Sequence, residues 1–269
     1  MNPSQSVASP DFLSVGQGPE QRRIAMLVKP ALPGNDAPAL LWLGGYRSDM
    51  TGTKAVEMEA LASRIGCQSI RFDYSGHGQS GGAFKDGTIS RWLEEAQAVL
   101  AHHAPQRVVL VGSSMGGWIA LRLVQEMRKA GGTVAAGMVL IAPAPDFTAD
   151  LIEPHLTETE RRSLEERGYF EEHSEYSSDP NIFTRALIED GRRNRVLSGL
   201  IETRCPVHIL QGMKDADVPY QHALKLVEHL PADDVVLTLI RDGDHRLSRP
   251  QDLARLTAAI VSVLSAPQY

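Results

Sequence analysis

Short apolar runs alternate with amphipathic segments along most of the chain. Strand-like runs occupy Arg23–Val28, Ala39–Leu43, Cys67–Tyr74, Arg107–Val111, Thr133–Ile141, Pro206–Gln211 and Asp234–Ile240. Helical spacing of apolar residues marks 55–65, Ile89–His102, Met115–Met127, Gln221–Leu230 and Pro250–Leu264. This alternation predicts an α/β protein with a mainly parallel, twisted sheet and helices on both faces. Phe12–Val15 and Arg23–Val28 are expected to pair as an antiparallel hairpin at one edge.

The segment 146–202 does not follow this alternation of strand-like runs and amphipathic segments. It is acidic, rich in Glu, Arg and Tyr, and carries no strand signal. Glu158–Arg167 and Ile182–Ile188 have the pattern of short helices. Because so long a stretch is seldom structureless inside a compact domain, we expect a helical cap or lid over the active edge of the sheet. The predicted organisation is therefore a core of residues 1–145 and 203–269 with a cap of residues 146–202.

Composition narrows the function classes. The 269 residues carry a net charge of −6, with no basic run or aromatic-rich basic patch, so nucleic-acid binding is not expected. Two cysteines form neither a disulfide framework nor a metal-ligand pattern, which favours free buried thiols. No signal peptide and no stretch long enough to span a membrane is visible, so we expect a cytoplasmic protein, although a removed targeting segment would leave no trace.

The segment Val108–Trp118 carries the strongest chemical signal. It contains Gly112-Ser113-Ser114-Met115-Gly116, a G-x-S-x-G match between a predicted strand and a predicted helix. That context is typical of a nucleophile elbow, in which a strained turn exposes Ser114 above the sheet. Side chains at Gly112 or Gly116 would collide with the neighbouring strand and helix. The alternative is an ordinary small-residue turn of an α/β fold.

A nucleophilic serine needs a base and an acid that orients the base. Among nine histidines, only His245 follows Ser114 and lies in the loop directly after the last predicted strand. Two acids compete in the loop after the preceding strand. Asp215 is nearer the strand end and is favoured by that position, whereas Asp217 is the rival, with capping of the next helix as its structural alternative. Val218-Pro219 is expected to begin that helix.

An oxyanion hole needs two backbone N–H groups that converge on one point. One is expected from Met115, directly after the nucleophile. The other is expected from the loop after Ala39–Leu43, with Tyr46 as the donor. A simple glycine turn is the alternative for this loop. Arg47 and Lys54 nearby would suit a substrate carboxylate, or would simply be solvated surface charges.

Longer motifs sharpen the assignment. Five motifs occur along the chain in the following order: Gly45-Tyr46-Arg47-Ser48-Asp49-Met50-Thr51-Gly52-Thr53-Lys54-Ala55, Arg71-Phe72-Asp73-Tyr74-Ser75-Gly76, Val111-Gly112-Ser113-Ser114-Met115-Gly116-Gly117-Trp118, Gly212-Met213-Lys214-Asp215 and Asp244-His245-Arg246. Together they resemble the serine α/β-hydrolases, and within them the palmitoyl-protein thioesterase branch of the α/β-hydrolase-domain-containing group, whose members also cleave acyl glucuronides. The segment 146–202 shows no such match.

The resemblance implies an α/β-hydrolase fold with Ser114, Asp215 and His245 as a catalytic triad and Tyr46 and Met115 as the oxyanion hole. The expected activity is hydrolysis of carboxylic esters or thioesters of small molecules or acylated proteins, without a metal or organic cofactor. An acyltransferase, a carbon–carbon hydrolase on the same triad, and a receptor with little turnover are the alternatives. The acyl group, the leaving group and the oligomeric state are not predicted.

Overall fold

A computed structural model describes residues 9–173, 180–231 and 234–266. Its main sheet has eight strands in the order β1-β2-β4-β3-β5-β6-β9-β10, of which the two pairings made by β2 are antiparallel and the others parallel. The strands of the structure are Asp11–Val15 (β1), Arg22–Lys29 (β2), Ala39–Leu43 (β3), Ser69–Phe72 (β4), Arg107–Ser113 (β5), Val134–Ile141 (β6), Tyr169–Glu172 (β7), Asn181–Thr184 (β8), Val207–Gly212 (β9) and Val235–Ile240 (β10). The predicted mainly parallel sheet with a hairpin at one edge is confirmed.

Helices cover both faces of this sheet. They are Thr53–Ile65 (α1), Ile89–His103 (α2), Met115–Ala130 (α3), Glu158–Glu166 (α4), Arg185–Arg193 (α5), Tyr220–His229 (α6) and Pro250–Ser265 (α7). In β5, Val108 and Leu110 belong to the core beneath α2 and α3, whereas Val109 and Val111 belong to the core beneath α1 and α7. Burial on both faces explains why the strand has a continuous apolar run rather than an alternating one.

The segment 146–202 contains strands that the sequence pattern did not reveal. β7 and β8 form a separate two-stranded antiparallel sheet in which Phe170 pairs with Phe183. The expectation that this segment holds no strand is wrong, and so is the single helix expected for Ile182–Ile188. Within the described ranges these four-residue strands pair with each other alone, and they alternate poorly in polarity, so the sequence pattern carries little signal. Ile182 lies in β8, and α5 begins after Thr184, whose Oγ1 accepts the Leu187 N–H at 3.1 Å.

Buried polar contacts hold the segment 146–202 on the core. Asp190 of α5 accepts hydrogen bonds from Ser90 N at 2.7 Å and Ser90 Oγ at 2.8 Å, so its carboxylate lies at the N-terminus of α2. A negative charge is stabilised at that end of a helix. Trp118 Nε1 of α3 donates to Asn194 O at 3.0 Å. This side of the segment is therefore fixed to α2 and α3.

Candidate active site

Ser114 occupies the sharp turn between β5 and α3. Its φ of 54° and ψ of −119° are strained for a residue with a side chain, as at a nucleophile elbow. A Cβ on Gly116 would lie 2.0 Å from Leu43 O, and one on Gly112 would lie 2.4 Å from Gly116 O. Neither distance is tolerable, so the predicted need for glycine at both positions is confirmed. Ser114 N donates to Ile141 O at 2.9 Å and fixes the turn to β6.

The predicted base and acid lie beside this serine. His245 Nε2 is 3.1 Å from Ser114 Oγ, and His245 Nδ1 is 2.8 Å from Asp215 Oδ2. The Asp215 side chain is completely buried, and that of His245 is 17% exposed. Because a carboxylate can only accept, Nδ1 carries the proton and Nε2 is left to receive one from the serine. The structure thus brings together the three side chains that the order of motifs predicted.

Asp215 is the better-placed of the two candidate acids. Its Oδ1 accepts the N–H groups of Asp217 at 3.0 Å and Val218 at 2.8 Å. Gln211 Nε2 donates to Oδ2 at 3.1 Å, so this buried amide helps to hold the carboxylate that faces His245. Gln211 lies within β9, where a polar residue inside an apolar strand was the only sequence signal for such a role.

Asp217 is exposed and lies on the wall of the candidate pocket. It does not cap α6, because Pro219 is the N-cap residue and, in the part of the chain that the structure describes, no side chain hydrogen-bonds to the start of that helix. The expectation that Val218-Pro219 begins the helix is therefore wrong, since α6 starts at Tyr220. The backbone N–H groups ahead of the helix are held instead by Asp215, a contact that depends on the fold of the loop.

The loop between β3 and α1 packs directly against the elbow. A Cβ on Gly45 would lie 3.2 Å from Ser113 O and 3.3 Å from Ser114 Cβ, so the loop approaches the serine closely. Ser48 N donates to Gly45 O at 3.1 Å and closes a turn with Tyr46 and Arg47 at its corners. Among the described residues, no acceptor pairs with the N–H of Tyr46 or of Met115. Both residues line one cavity with Ser114, as an oxyanion hole requires.

The Tyr46 side chain joins this loop to the hairpin of β7 and β8. Its hydroxyl donates to Ile182 O, and its ring stacks on Phe183 with centroids 5.3 Å apart. Burial raises the pKa of the Tyr46 phenol, which therefore stays a neutral donor. Arg47 Nη1 donates to Pro180 O at 2.8 Å. Sequence reasoning missed this link because Tyr46 and the hairpin are far apart in the chain.

The cavity above Ser114 measures about 710 Å³. Phe147, Leu151, Ile152 and Phe183 supply apolar walls, and all four belong to the segment 146–202. Polar side chains of the wall come from both regions: Arg47, His155, Glu172, His173, Asn181 and Asp217. A pocket of this size accommodates a small-molecule ligand or an acyl chain.

Lys54 does not line this cavity, in contrast to Arg47. Its ammonium group donates to Arg246 O, in the loop that also carries His245. Burial, and to a lesser degree Arg246, lowers the pKa of Lys54 to about 8. The expectation that Lys54 contacts a substrate carboxylate is therefore not supported. Arg47 lines the cavity, so the same expectation still stands for its guanidinium group.

Asp215, Asp217 and His245 could in principle share a cation, because one ligand atom of each lies within 4.8 Å of the others. Asp215 and His245 already use facing atoms in the hydrogen bond between them. The grouping thus follows from the hydrogen bond between Asp215 and His245 and from the position of Asp217 two residues further along the same loop.

An eight-stranded sheet with a strained serine turn and a facing histidine defines the α/β-hydrolase class. This chain belongs to the alpha/beta hydrolase family, whose model matches residues 31–256. It is 31% identical over 224 residues to the palmitoyl-protein thioesterase ABHD10, mitochondrial, of Mus musculus. The matched region covers 83% of this chain and 74% of the relative. The resemblance drawn from the sequence motifs is thereby confirmed.

Solved structures agree with this family. A putative hydrolase from Agrobacterium vitis S4 is 67% identical, with a TM-score of 0.93 over 95% of this chain and 98% of that one. The alpha/beta hydrolase domain-containing protein 10 from mouse is 28% identical, with a TM-score of 0.81 over 96% of this chain and 98% of that one. In the parts of the chain that the structure describes, no helix has the length and apolar character needed to cross a bilayer.

Proposed function

We propose that this protein is a serine hydrolase that cleaves carboxylic esters or thioesters through an acyl-enzyme on Ser114. The main support for the proposal is a continuous set of hydrogen bonds that joins Ser114 Oγ to His245 Nε2 and His245 Nδ1 to Asp215 Oδ2. Membership of the alpha/beta hydrolase family supports hydrolysis as the reaction class. Its thioesterase relative supports an acyl substrate.

In the first step, His245 Nε2 takes the hydroxyl proton as Ser114 Oγ attacks the acyl carbonyl carbon. Asp215 stabilises the imidazolium that forms. The N–H groups of Tyr46 and Met115 bind the oxygen that becomes negative, and one such donor is typically worth about 2.7–4 kcal/mol. The tetrahedral intermediate collapses as the alcohol or thiol leaves with the proton from His245. Water, activated by the same histidine, then releases the acid and regenerates Ser114.

The proposed acyl group lies against the apolar walls formed by Phe147, Leu151, Ile152 and Phe183. An acylated protein or an acyl ester of a small molecule presents such a group. The leaving group then faces the polar part of the wall, where Arg47 and Glu172 lie. In this proposal residues 146–202 act as a cap that selects the substrate, and the core supplies the chemistry.

A panel of acyl thioesters and matched oxygen esters, with chains of two to sixteen carbons, tests the proposal. We expect hydrolysis that depends on chain length and disappears in Ser114→Ala. Acyl transfer to an added alcohol that outpaces hydrolysis would instead establish an acyltransferase. Tight binding of the esters without turnover would establish a receptor and overturn the proposal.

A cytoplasmic location remains a prediction, and the named thioesterase relative is mitochondrial. Fractionation of the source cells with an antibody against this chain tests it. Recovery in a membrane or organelle fraction would contradict the prediction.

A further inference from the structure

His77 lies behind the loop that carries Tyr46, outside the Ser114–His245–Asp215 chain. Only 4% of it is exposed, and its ring packs edge-on against Phe84 and Trp92, with centroids 5.1 and 5.3 Å away. His77 Nε2 accepts the backbone N–H of Arg47 at 3.2 Å. The imidazole thus contacts the residue directly after the proposed oxyanion donor.

The hydrogen bonds of His77 define its tautomer. Nδ1 lies 3.1 Å from Ser75 O, and since a carbonyl oxygen can only accept, Nδ1 carries the proton. Nε2 of the neutral ring is then an acceptor, which matches the Arg47 N–H. A protonated ring would place two N–H groups face to face. Burial lowers the pKa of His77 to about 4, against the hydrogen bond to Ser75 O, which raises it, and with a smaller contribution from Arg47. The ring therefore stays neutral near neutral pH.

The Arg47 N–H belongs to a strained turn. Tyr46 and Arg47 are the central residues of the turn closed by Ser48 N and Gly45 O, and Arg47 has a φ of 56°. A positive φ at the second central position marks a type II turn, where glycine is preferred because other residues are strained there. Arginine therefore needs an external contact to hold its peptide in this orientation. His77 supplies that contact through the peptide that joins Tyr46 to Arg47.

The loop after β4, which carries His77, makes a second contact with the oxyanion loop, at Met50. Asp73 Oδ1 accepts the Met50 N–H at 2.6 Å, and Asp73 Oδ2 accepts the Gln79 N–H at 2.7 Å. The loop after β4 thus holds the oxyanion loop at two backbone positions, Arg47 and Met50. Only the His77 contact lies next to Tyr46.

We infer that His77 is a positioning residue for the oxyanion hole, which holds the Tyr46–Arg47 turn in its strained form so that the Tyr46 N–H faces the reacting carbonyl. The inference rests on the proposed serine hydrolase function. It assigns His77 no proton transfer and no contact with substrate. Its effect is exerted in the transition state, when the carbonyl oxygen becomes negative and needs both N–H donors.

A matched pair of substitutions separates the acceptor from packing. His77→Gln keeps an oxygen near the position of Nε2, whereas His77→Met has a similar length and lacks a strong acceptor. We expect His77→Met to lower kcat by at least about tenfold while KM changes little, because a small misplacement of a catalytic group is costly. His77→Gln should retain most of the activity. His77→Asn, which is too short to reach Arg47 N, serves as the second acceptor-free variant if His77→Met does not fold.

The turn itself provides the decisive control. Arg47→Gly removes the strain of the positive φ, so the turn no longer needs His77. In the Arg47→Gly background, the acceptor-free His77 variant should therefore cost much less kcat than it does beside arginine, a coupling that simple packing loss does not produce. Equal losses in both backgrounds, or equal kcat for the Gln and Met variants, would overturn the inference while the hydrolase function stands. Absence of Ser114-dependent hydrolysis in the unmodified protein would overturn both.

Discussion

The core around Ser114 and the segment 146–202 contribute to one cavity but are built in different ways. In the core, backbone approaches fix the site: Gly116 lies against Leu43 O and Gly112 against Gly116 O, so no other residue fits. The segment 146–202 instead depends on side-chain contacts such as Asp190 with Ser90 and Tyr46 with Ile182. The sheet and its loops thus set the positions of Ser114, Asp215 and His245, whereas much of the apolar wall of the pocket comes from a segment that side-chain contacts hold in place.

The difference matters because each region can change without the other. On the proposed function, we expect a substitution in the segment 146–202 to alter which acyl group fits and to leave the distances around Ser114 in place. We expect a substitution at the elbow or in the Asp215 loop to alter the proposed reaction for every substrate. Tyr46 is the exception, since its backbone lies in the proposed oxyanion loop and its side chain hydrogen-bonds to β8.

The largest expected effect separates two acids of one loop. Asp215→Asn should lower kcat by about 10⁴-fold, because the amide favours the wrong tautomer of His245. Asp217→Asn, the matched control, should cause a much smaller loss because Asp217 is exposed and because it is Asp215 whose carboxylate hydrogen-bonds to His245. Steady-state kinetics on a short acyl ester measures both variants. A greater loss in Asp217→Asn would reassign the acid.

The next effect concerns stability of the core. Gly116→Ala should lower the free energy of unfolding by about 1–3 kcal/mol or more, because the new methyl group would lie 2.0 Å from Leu43 O. Gly199→Ala is the control within the segment 146–202, since a Cβ there meets nothing within 4 Å. Its free energy of unfolding should change by less than about 1 kcal/mol. Urea denaturation followed by circular dichroism measures both, and equal stabilities would show that close packing at the elbow is not required.

These elbow contacts also show how far sequence reasoning reaches. The strands, the glycines of the elbow and the order of Ser114, Asp215 and His245 follow from local patterns and from loop positions along the chain. The roles of Gln211 and His77 do not, because each depends on a neighbour brought close by the tertiary fold. The hairpin of β7 and β8 was not predicted for a related reason. Its short strands are stabilised by Tyr46 and by each other, and their sequences show no recognisable strand pattern.

A smaller effect is expected where the segment 146–202 is held to the core. Asp190→Asn removes the charge at the N-terminus of α2 and weakens the contacts with Ser90. We expect a loss of about 1–2 kcal/mol in the free energy of unfolding. Chain-length preference should broaden, while kcat for an acetyl ester stays near that of the unmodified protein.

Asp36→Asn on an exposed loop is the control for the same change of charge. It should alter neither stability nor chain-length preference. An Asp190→Asn variant with reduced kcat for every ester and an unchanged chain-length preference would contradict the separation of the two regions.

The smallest effect is expected at the link between the regions. Tyr46→Phe keeps the backbone N–H and the ring stacked on Phe183, and removes only the hydroxyl that donates to Ile182 O. KM for long-chain esters should rise by a few-fold, as expected for the loss of one hydrogen bond of about 0.5–1.5 kcal/mol. Tyr169→Phe, which removes a hydroxyl bonded to Arg167 on the exposed side, is the control. A loss confined to kcat would place the phenol in the chemical step instead.

Covalent labelling of the nucleophile tests the central claim most directly. The protein is incubated with a fluorophosphonate, digested, and the modified peptide sequenced by mass spectrometry, with His245→Gln and Ser113→Ala treated in parallel. The account predicts a single adduct on Ser114, greatly slowed by His245→Gln and retained in Ser113→Ala. A folded protein that carries the adduct on another residue, or that labels equally well without His245, would contradict it.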